Sequence, residues 1–231
     1  MSETSNKRYI RNIPAISEAE QEILKTKKVA VIGCGGLGGF AIEYLARLGV
    51  GEIIVVDGDS FDASNLNRQL LCTNAEIAYK KVDAAKKRVE EINPDANVKI
   101  VDSFLEIKNA TEIISGCDLI IDALDNAQAR LVLEDAAAKE KVTIIHGAVQ
   151  GWSMQVAVSL PGSGLLHTIY SGSAEDASDE ESKSCLVMTP ACCASIQVAE
   201  ALMVLLGNKS DLEGKLFTLN LNDLSSASFL L

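Results

Sequence analysis

The sequence predicts a doubly wound α/β fold, a mostly parallel sheet covered by helices and extended by antiparallel strands toward the C-terminus. Three observations predict it. Residues 28–59 run strand, glycine turn, helix, strand, acid. Short β-branched apolar runs then alternate with helical patterns as far as residue 150. Beyond Gly151 the pattern changes to in-and-out alternation, expected of antiparallel strands with one wet face. At 231 residues the chain fits a single α/β domain over 1–231: an N-terminal arm and helix (1–27), a glycine-turn core (28–150) and a C-terminal part (151–231).

Taken in order, residues 1–17 are polar and irregular, with the basic cluster Lys7, Arg8 and Arg11 and a break at Pro14. Ser17 followed by Glu18 and Glu20 is an N-cap with an acidic first turn, opening a helix to about Thr26. Val29 to Ile32 is the first strand; Phe40, Ile42, Tyr44, Leu45 and Leu48 give the helix after the glycines; Ile53 to Val56 is the second strand, ended by Asp57. Ser60 to Cys72 is a loop, and Tyr79 to Glu91 a helix with the stripe Val82, Ala85, Val89 and Ile92, stopped at Asn93-Pro94. Val98 to Val101 and Asp118 to Leu124 read as strands three and four, with a short helix around Ala110 to Ser115 between them. Asn126 can cap a helix from Ala127 to Lys139, and Thr143 to Val149 is the fifth strand. Trp152 to Leu160 alternates; Ser171 to Ser184 is acidic, aperiodic and read as a mobile loop; Thr189-Pro190 opens an apolar helix to Leu206-Gly207; Leu216 to Leu231 holds two strands around Asn222 to Ser225.

Composition narrows the function classes. With 48% hydrophobic residues there is material for a core on both sheet faces. A formal charge of −11 and a pI near 4.7 argue against a nucleic-acid surface or an anionic membrane, because phosphate repulsion would go unopposed. No apolar run reaches about 18 residues and the first 28 hold no signal-peptide core, so a cytoplasmic protein is expected. The six cysteines, Cys34, Cys72, Cys117, Cys185, Cys192 and Cys193, include no C-x-x-C pair. Free thiols in a reducing compartment, and no structural zinc, are the expectation.

The glycines point to a nucleotide. Gly33 permits a tight turn, Gly35 lets backbone approach a phosphate chain beside Gly36, and Gly38 lets the helix pack on the first strand. The helix start offers free N–H groups to an anion, and Asp57 lies about 20 residues beyond the last glycine, where an acid meets ribose hydroxyls. Three further residues suit phosphate chemistry. Arg68 and Lys81 can neutralise phosphate charge that develops during transfer, and Asp125, beyond the fourth strand, can hold Mg²⁺. Each has a plainer reading: a loop salt bridge for Arg68, a helix-surface charge for Lys81, a helix cap for Asp125. An NAD-linked oxidoreductase fits the glycines alone and leaves these three residues without a task.

The motifs GCGGLGG, VVDGD, SNLNRQ, Lys81-Val82 at a helix start and ALDN together resemble the ThiF/MoeB/HesA family, relatives of ubiquitin-activating enzymes, from RYIR to the TPACCASIQVAEAL helix. The resemblance implies ATP-dependent adenylation, with Mg²⁺ and release of pyrophosphate, of the C-terminal Gly-Gly carboxylate of a ubiquitin-like sulfur-carrier protein. It implies a Rossmann-like homodimer and a sulfur donor such as a cysteine desulfurase. By residue, it implies Asp57 on the ribose, Asn65, Arg68, Gln69 and Lys81 on the triphosphate, Asp125 on the metal, and Asp59 as a second acid near the nucleotide. Arg11, in RYIRN where the family has RYxRQ, would reach the γ-phosphate of the partner subunit's site; by physics alone a basic residue on a loose arm is solvated.

Departures from the family pattern narrow this. The zinc-binding cysteine pairs are absent, the region reading GLLHTIY and the end SFLL. Cys185 lies roughly where sulfur-transferring members carry a covalent cysteine, although Glu180 and Glu181 would raise its pKa and only Lys183 opposes them. Cys192, Cys193 and Cys117 read as packing residues, and Cys34 and Cys72 as small residues near the nucleotide loop. His146 reads as a satisfied core or rim histidine, since a carboxylate nucleophile needs no base. Trp152 and Met154 line either a groove for the carrier tail or the sheet core, and Glu175 to Glu181 is a solvated run or a flap. Adenylation of a small-molecule or RNA-attached carboxylate, or a non-catalytic binding platform, are the other readings.

Overall fold

A computed structural model describes residues 7–172 and 184–231 of the chain. The acidic segment read as a mobile loop, with Glu175 to Glu181 and Lys183, lies largely outside the described residues. The helices are α1 (Glu18–Leu24), α2 (Gly36–Leu48), α3 (Lys81–Ile92), α4 (Ala110–Ile114), α5 (Ala127–Glu140), α6 (Leu165–Tyr170) and α7 (Met188–Leu205). The strands are β1 (Lys28–Ile32), β2 (Glu52–Val56), β3 (Asn97–Val101), β4 (Leu119–Asp122), β5 (Thr143–Gln150), β6 (Ser153–Ser159), β7 (Lys215–Asn220) and β8 (Ser226–Leu230).

All eight strands form one sheet in the order β3-β2-β1-β4-β5-β6-β7-β8. The first five are parallel, and the last three join antiparallel. The chain winds outward from β1 to β3, then crosses back to place β4 on the other side of β1. At that reversal the carboxyl ends of β1 and β4 lie side by side, Ile32 in register with Asp122, which is where ligands gather in open α/β sheets.

Alternation along the strands divides the core. Val29 and Val31 of β1, with Ile53, Val55, Ile121 and Ile145, face α2, α3 and α7. Ala30, Ile32, Ile54, Val56, Ile120 and Ile144 face α4, α5 and α6. Both faces of β1 are therefore dry, and each fully buried Val or Ile contributes roughly 1.5–3 kcal/mol. On α7 the buried positions Pro190, Cys193, Ala194, Gln197, Val198, Ala201 and Leu205 follow a helical stripe. By length and composition this helix is apolar enough to cross a membrane, contrary to the expectation that no stretch reaches that length. Its packing against α2, β5 and β6 accounts for the apolarity.

Other boundaries moved. The helix expected from Tyr79 begins at Lys81, because Lys80 pairs with Ser60 in a short bridge and Tyr79 is exposed. The fourth strand ends at Asp122, not Leu124, so Asp125 sits three residues beyond it on the turn into α5. β6 is not wet along one face: Met154, Val156 and Val158 are buried as the alternation predicts, but so are Ala157 and Ser159 under α6. Helix α6 was not foreseen. Its first N–H groups are satisfied from a distance by buried Glu134 of α5, which accepts from Leu166 and His167 at 2.8 Å each.

Candidate active site

The glycine turn after β1 is shaped by close backbone approaches. Gly33 has φ +101°, and a Cβ there would meet the Ala123 carbonyl oxygen at 2.6 Å; a Cβ on Gly38 would lie 1.8 Å from the Gly33 carbonyl oxygen. Only glycine fits either position. Gly35 is the N-cap of α2 and supplies no capping side chain, so the helix start presents open N–H groups. Asp57, just past β2, shapes the turn from the other side: Oδ2 accepts the Cys34 N–H at 2.8 Å and Oδ1 the Asp59 N–H at 2.8 Å.

The loop after β2 closes over this turn. Gln69 is buried, its amide about 3.6 Å from where a Gly35 Cβ would stand, and its Oε1 has no hydrogen-bond partner among the described residues. A buried amide oxygen left unpaired costs about 1–3 kcal/mol, so this atom fits a ligand donor. Arg68 backs onto Gly36. Its Nη1 donates to Ser64 O at 3.0 Å and Asn67 Oδ1 at 2.9 Å, so its charge has no carboxylate partner among the described residues and the plainer alternative of a loop salt bridge is not formed there. Asn65 holds the loop: Oδ1 accepts the Asp62 N–H at 3.0 Å, and its carbonyl accepts from Arg68 and Gln69. Lys81 is buried at the start of α3, not a surface charge, and its Nζ donates to Asp59 Oδ2 at 3.0 Å. Glycine turn, Asp57, Asp59, Arg68, Gln69 and Lys81 are thus linked in one place.

Asp125 is exposed. Asn126, not Asp125, caps α5, accepting the Ala129 N–H at 2.8 Å, which leaves the Asp125 carboxylate available. Among the described residues no group of three or more His, Cys, Asp or Glu side chains could hold a metal ion. A protein-only cage is therefore not formed. A lone carboxylate beside a phosphate cradle fits Mg²⁺ instead, which binds through one or two carboxylates, substrate phosphates and water.

Other residues separate. Arg8 is tied to Asp95 at 2.9 Å and to Asn93 at 2.6 Å, and Tyr9 is buried against Gly49, so the arm is anchored. Arg11 beyond it is exposed and forms no hydrogen bond or ion pair among the described residues. Cys185 is half-buried beside the same loop, its carbonyl accepting from Asn67 Nδ2 at 3.2 Å. Burial pushes its thiol above the usual value and Arg68 opposes; Glu180, Glu181 and Lys183 lie outside the described residues. Cys34, Cys72, Cys117 and Cys193 are buried, with Cys192 partly so, and all six cysteines are free thiols. Trp152 is exposed, whereas Met154 is a core residue that also touches a cavity of about 550 Å³ with Arg130, Gln155, Tyr170 and Asn220 on its walls.

Two features went unread in the sequence. An apolar groove of about 540 Å³, lined by Phe104, Leu105, Ile107, Ala129 and Val132, opens beside the β4–α5 turn. Phe104 lies so near Gly58 that a Cβ there would meet its ring at 2.9 Å. An apolar slot beside Gly58, the residue after Asp57, suits a flat ring; the run SFLEI shows no periodicity that would flag it. The second is the set of partners around His146, itself read as a satisfied core or rim histidine and found so: a buried polar network. His146 is fully buried and its Nδ1 lies 2.7 Å from Asp122 Oδ2, while Nε2 lies 3.1 Å from the Tyr170 hydroxyl and 3.2 Å from Gln155 Nε2. Burial holds the imidazole below its ordinary pKa despite Asp122, because Arg130 already balances that charge; the nearby Arg130 and the His146 hydrogen bond keep Asp122 below the usual carboxylate value against burial. The Tyr170 hydroxyl is pushed up to about 12 by burial.

Comparison with known proteins decides the family, since the ThiF family model matches residues 7–230. The chain belongs to the ThiF family. Among relatives, the SAMP-activating enzyme E1 of Haloferax volcanii is 32% identical over 222 residues, covering 94% of this chain and 82% of that protein. The sulfur carrier protein adenylyltransferase of Thermus thermophilus is 38% identical over 153 residues, 65% of this chain and 56% of that one. The crystal structure of PaaA superposes with a TM-score of 0.81 at 24% identity, over all of this chain and 74% of that one, which shows the fold. The ThiF-family sheet, mostly parallel with antiparallel C-terminal strands, is therefore shared as expected.

Proposed function

We propose that this chain, an adenylyltransferase of the ThiF family, uses ATP to activate the C-terminal Gly-Gly carboxylate of a ubiquitin-like sulfur-carrier protein, releasing pyrophosphate. The observation that supports this most is the clustering of the glycine turn, the open N–H groups at the start of α2, Arg68 with no carboxylate partner among the described residues, and buried Lys81, an arrangement suited to a phosphate chain. Relatives named for activating such carriers support the substrate class. In this reading Asp57 binds the ribose, the slot at Phe104 takes the base, and the α2 N–H groups with Asn65 and Gln69 hold the phosphates.

A carrier carboxylate oxygen attacks the α-phosphorus in line, the bond to pyrophosphate breaks, and an acyl adenylate forms. No base is required, because the nucleophile is already ionised. Arg68, Lys81 and the partner subunit's copy of the arm arginine neutralise charge that grows on the leaving phosphates. Lys81 comes to this task by exchanging Asp59 for phosphate. Asp125 would hold Mg²⁺, which when bound screens the phosphate charge. In our reading the Cys185 thiolate beside the site attacks the acyl carbon and AMP leaves, giving a thioester, and a sulfur donor, a cysteine desulfurase, then attacks that carbon and frees the Cys185 thiolate. Six free thiols support a cytoplasmic setting.

ATP–pyrophosphate exchange with candidate carriers ending in Gly-Gly tests this. Exchange should require the intact carrier tail and fall about 100-fold or more in Asp125→Ala, the size seen when one charge-stabilising group is lost. Folded, ATP-binding protein that exchanges with small carboxylates instead would replace the carrier by a small molecule. Binding of NAD in preference to ATP would sink the reading.

A further inference from the structure

The turn that carries Asp125 is gripped by a buried ion pair. Asp122 is fully buried, and its Oδ1 accepts the Leu124 N–H at 3.0 Å. Arg130, in the first turn of α5, donates from Nη2 to the Leu124 carbonyl oxygen, which belongs to the peptide joining Leu124 to Asp125. Both polar groups of the residue before Asp125 are therefore held by the two members of one ion pair. Asp125 itself is exposed, and among the described residues its carboxylate has one hydrogen-bond partner, Asn126 Nδ2 at 3.5 Å. Its aim comes from its backbone.

The geometry of the pair separates this role from simple charge neutralisation. A guanidinium matched to a carboxylate makes two parallel N–H···O bonds. Here Arg130 Nε stands 3.4 Å from Asp122 Oδ2 and makes no hydrogen bond, although it is buried. The side chain gives up an ideal pairing to reach the Leu124 carbonyl. It is held in that pose by the Tyr170 ring, 4.8 Å from its guanidinium. Asp122 is held by His146 at 2.7 Å and, through its backbone carbonyl, by Gln197 Nε2 at 2.9 Å.

We propose that Arg130 is a positioning residue that sets the Asp125 carboxylate toward the nucleotide-bound divalent cation, with Asp122 and His146 as its supports. This rests on the reading of Asp125 as the metal ligand given above. Outer partners of this kind change metal affinity by about 10–100-fold when altered, and a carboxylate needs placement to within roughly 0.5 Å.

The test uses full-length Arg130→Lys, which keeps a charge beside Asp122 and loses the planar fork. Mn²⁺ binding to the protein–ATP complex is read by electron paramagnetic resonance, ATP binding in EDTA by calorimetry, and hydrogen exchange of the 123–126 peptide without nucleotide or metal by mass spectrometry. The expected result is a Mn²⁺ midpoint weakened about tenfold, metal-free ATP affinity unchanged, and faster exchange at the turn. A folded variant with the wild-type Mn²⁺ midpoint overturns the proposal, as does parallel loss of metal-free ATP affinity, which marks a purely structural residue. Should Arg130→Lys not fold, His146→Gln removes one support of Asp122 and must weaken Mn²⁺ in the same direction; an unchanged midpoint there overturns it too. Asp125→Asn separates the two layers of inference, because a wild-type Mn²⁺ midpoint in that variant refutes the metal reading itself.

Discussion

At the scale of single residues, the four glycines of the turn are not equivalent. A Cβ on Gly38 would overlap the Gly33 carbonyl oxygen, whereas a Cβ on Gly36 finds its nearest neighbour at 3.7 Å. Gly38→Ala should therefore lose about 2–3 kcal/mol by overpacking and melt roughly 5–10 °C lower by differential scanning fluorimetry. Gly36→Ala should melt with the parent, so any loss of ATP affinity in it maps the path of the phosphates. A second residue-scale consequence concerns pH. His146 is kept neutral by burial, with its folded pKa depressed, while in the unfolded chain it titrates near its ordinary value of about 6.5. Below that value the unfolded state binds the extra proton, so stability present at neutral pH is lost as pH falls toward the folded pKa. Thermal melts between pH 7 and 5 should show a declining Tm that flattens in His146→Gln; parallel slopes in the two proteins would refute the assignment.

At the scale of elements, the β7–β8 turn carries a local conflict. Leu224 adopts φ +58° and is mostly exposed, a left-handed conformation that costs a side-chain-bearing residue about 1–2 kcal/mol with little packing in return. Leu224→Gly should raise stability by about 0.5–1 kcal/mol once glycine's own entropy is counted, read as an upward shift in a urea midpoint at constant slope. The core strands were legible because their signals are local: a β-branched run, a glycine turn and an acid at fixed spacing say strand, turn, strand without reference to the rest of the chain. The Ser17 capping box was legible for the same reason, Ser17 and Glu20 satisfying each other's backbone across three residues. Helix α6 was not, because Glu134, the group that satisfies its start, is more than thirty positions away. The pairings Asp59 with Lys81, Asp122 with His146 and Arg130 with Leu124 were hidden likewise: each side chain could be seen, but not its partner. Sequence left Asp125 between cap and ligand. Asn126 taking the cap removes the first role.

At the scale of the whole molecule, Arg11 stands exposed on an arm whose neighbours Arg8 and Tyr9 are anchored, an arrangement that supports reach into a second copy of the chain. Arg11→Ala and Asp125→Ala proteins, each inactive alone, should on mixing and re-equilibration recover about a quarter of wild-type exchange, since half the dimers are mixed and one of their two sites is intact. No recovery would place Arg11 in its own subunit's site or outside catalysis. The order of the sheet has a consequence for the chain while it is being made. Gly33 and the Ala123 carbonyl against which it closes are ninety residues apart, brought together by the pairing of β4 with β1, while β2 and β3 lie on the far side of β1. A nascent chain that has emerged from the ribosome as far as β3 carries the glycine turn, Asp57 and Lys81 but lacks the strand they close against. Such a fragment has the glycine turn but not the backbone it closes against, so under the proposed function activation of a carboxylate waits until β4 and the turn that bears Asp125 are in place.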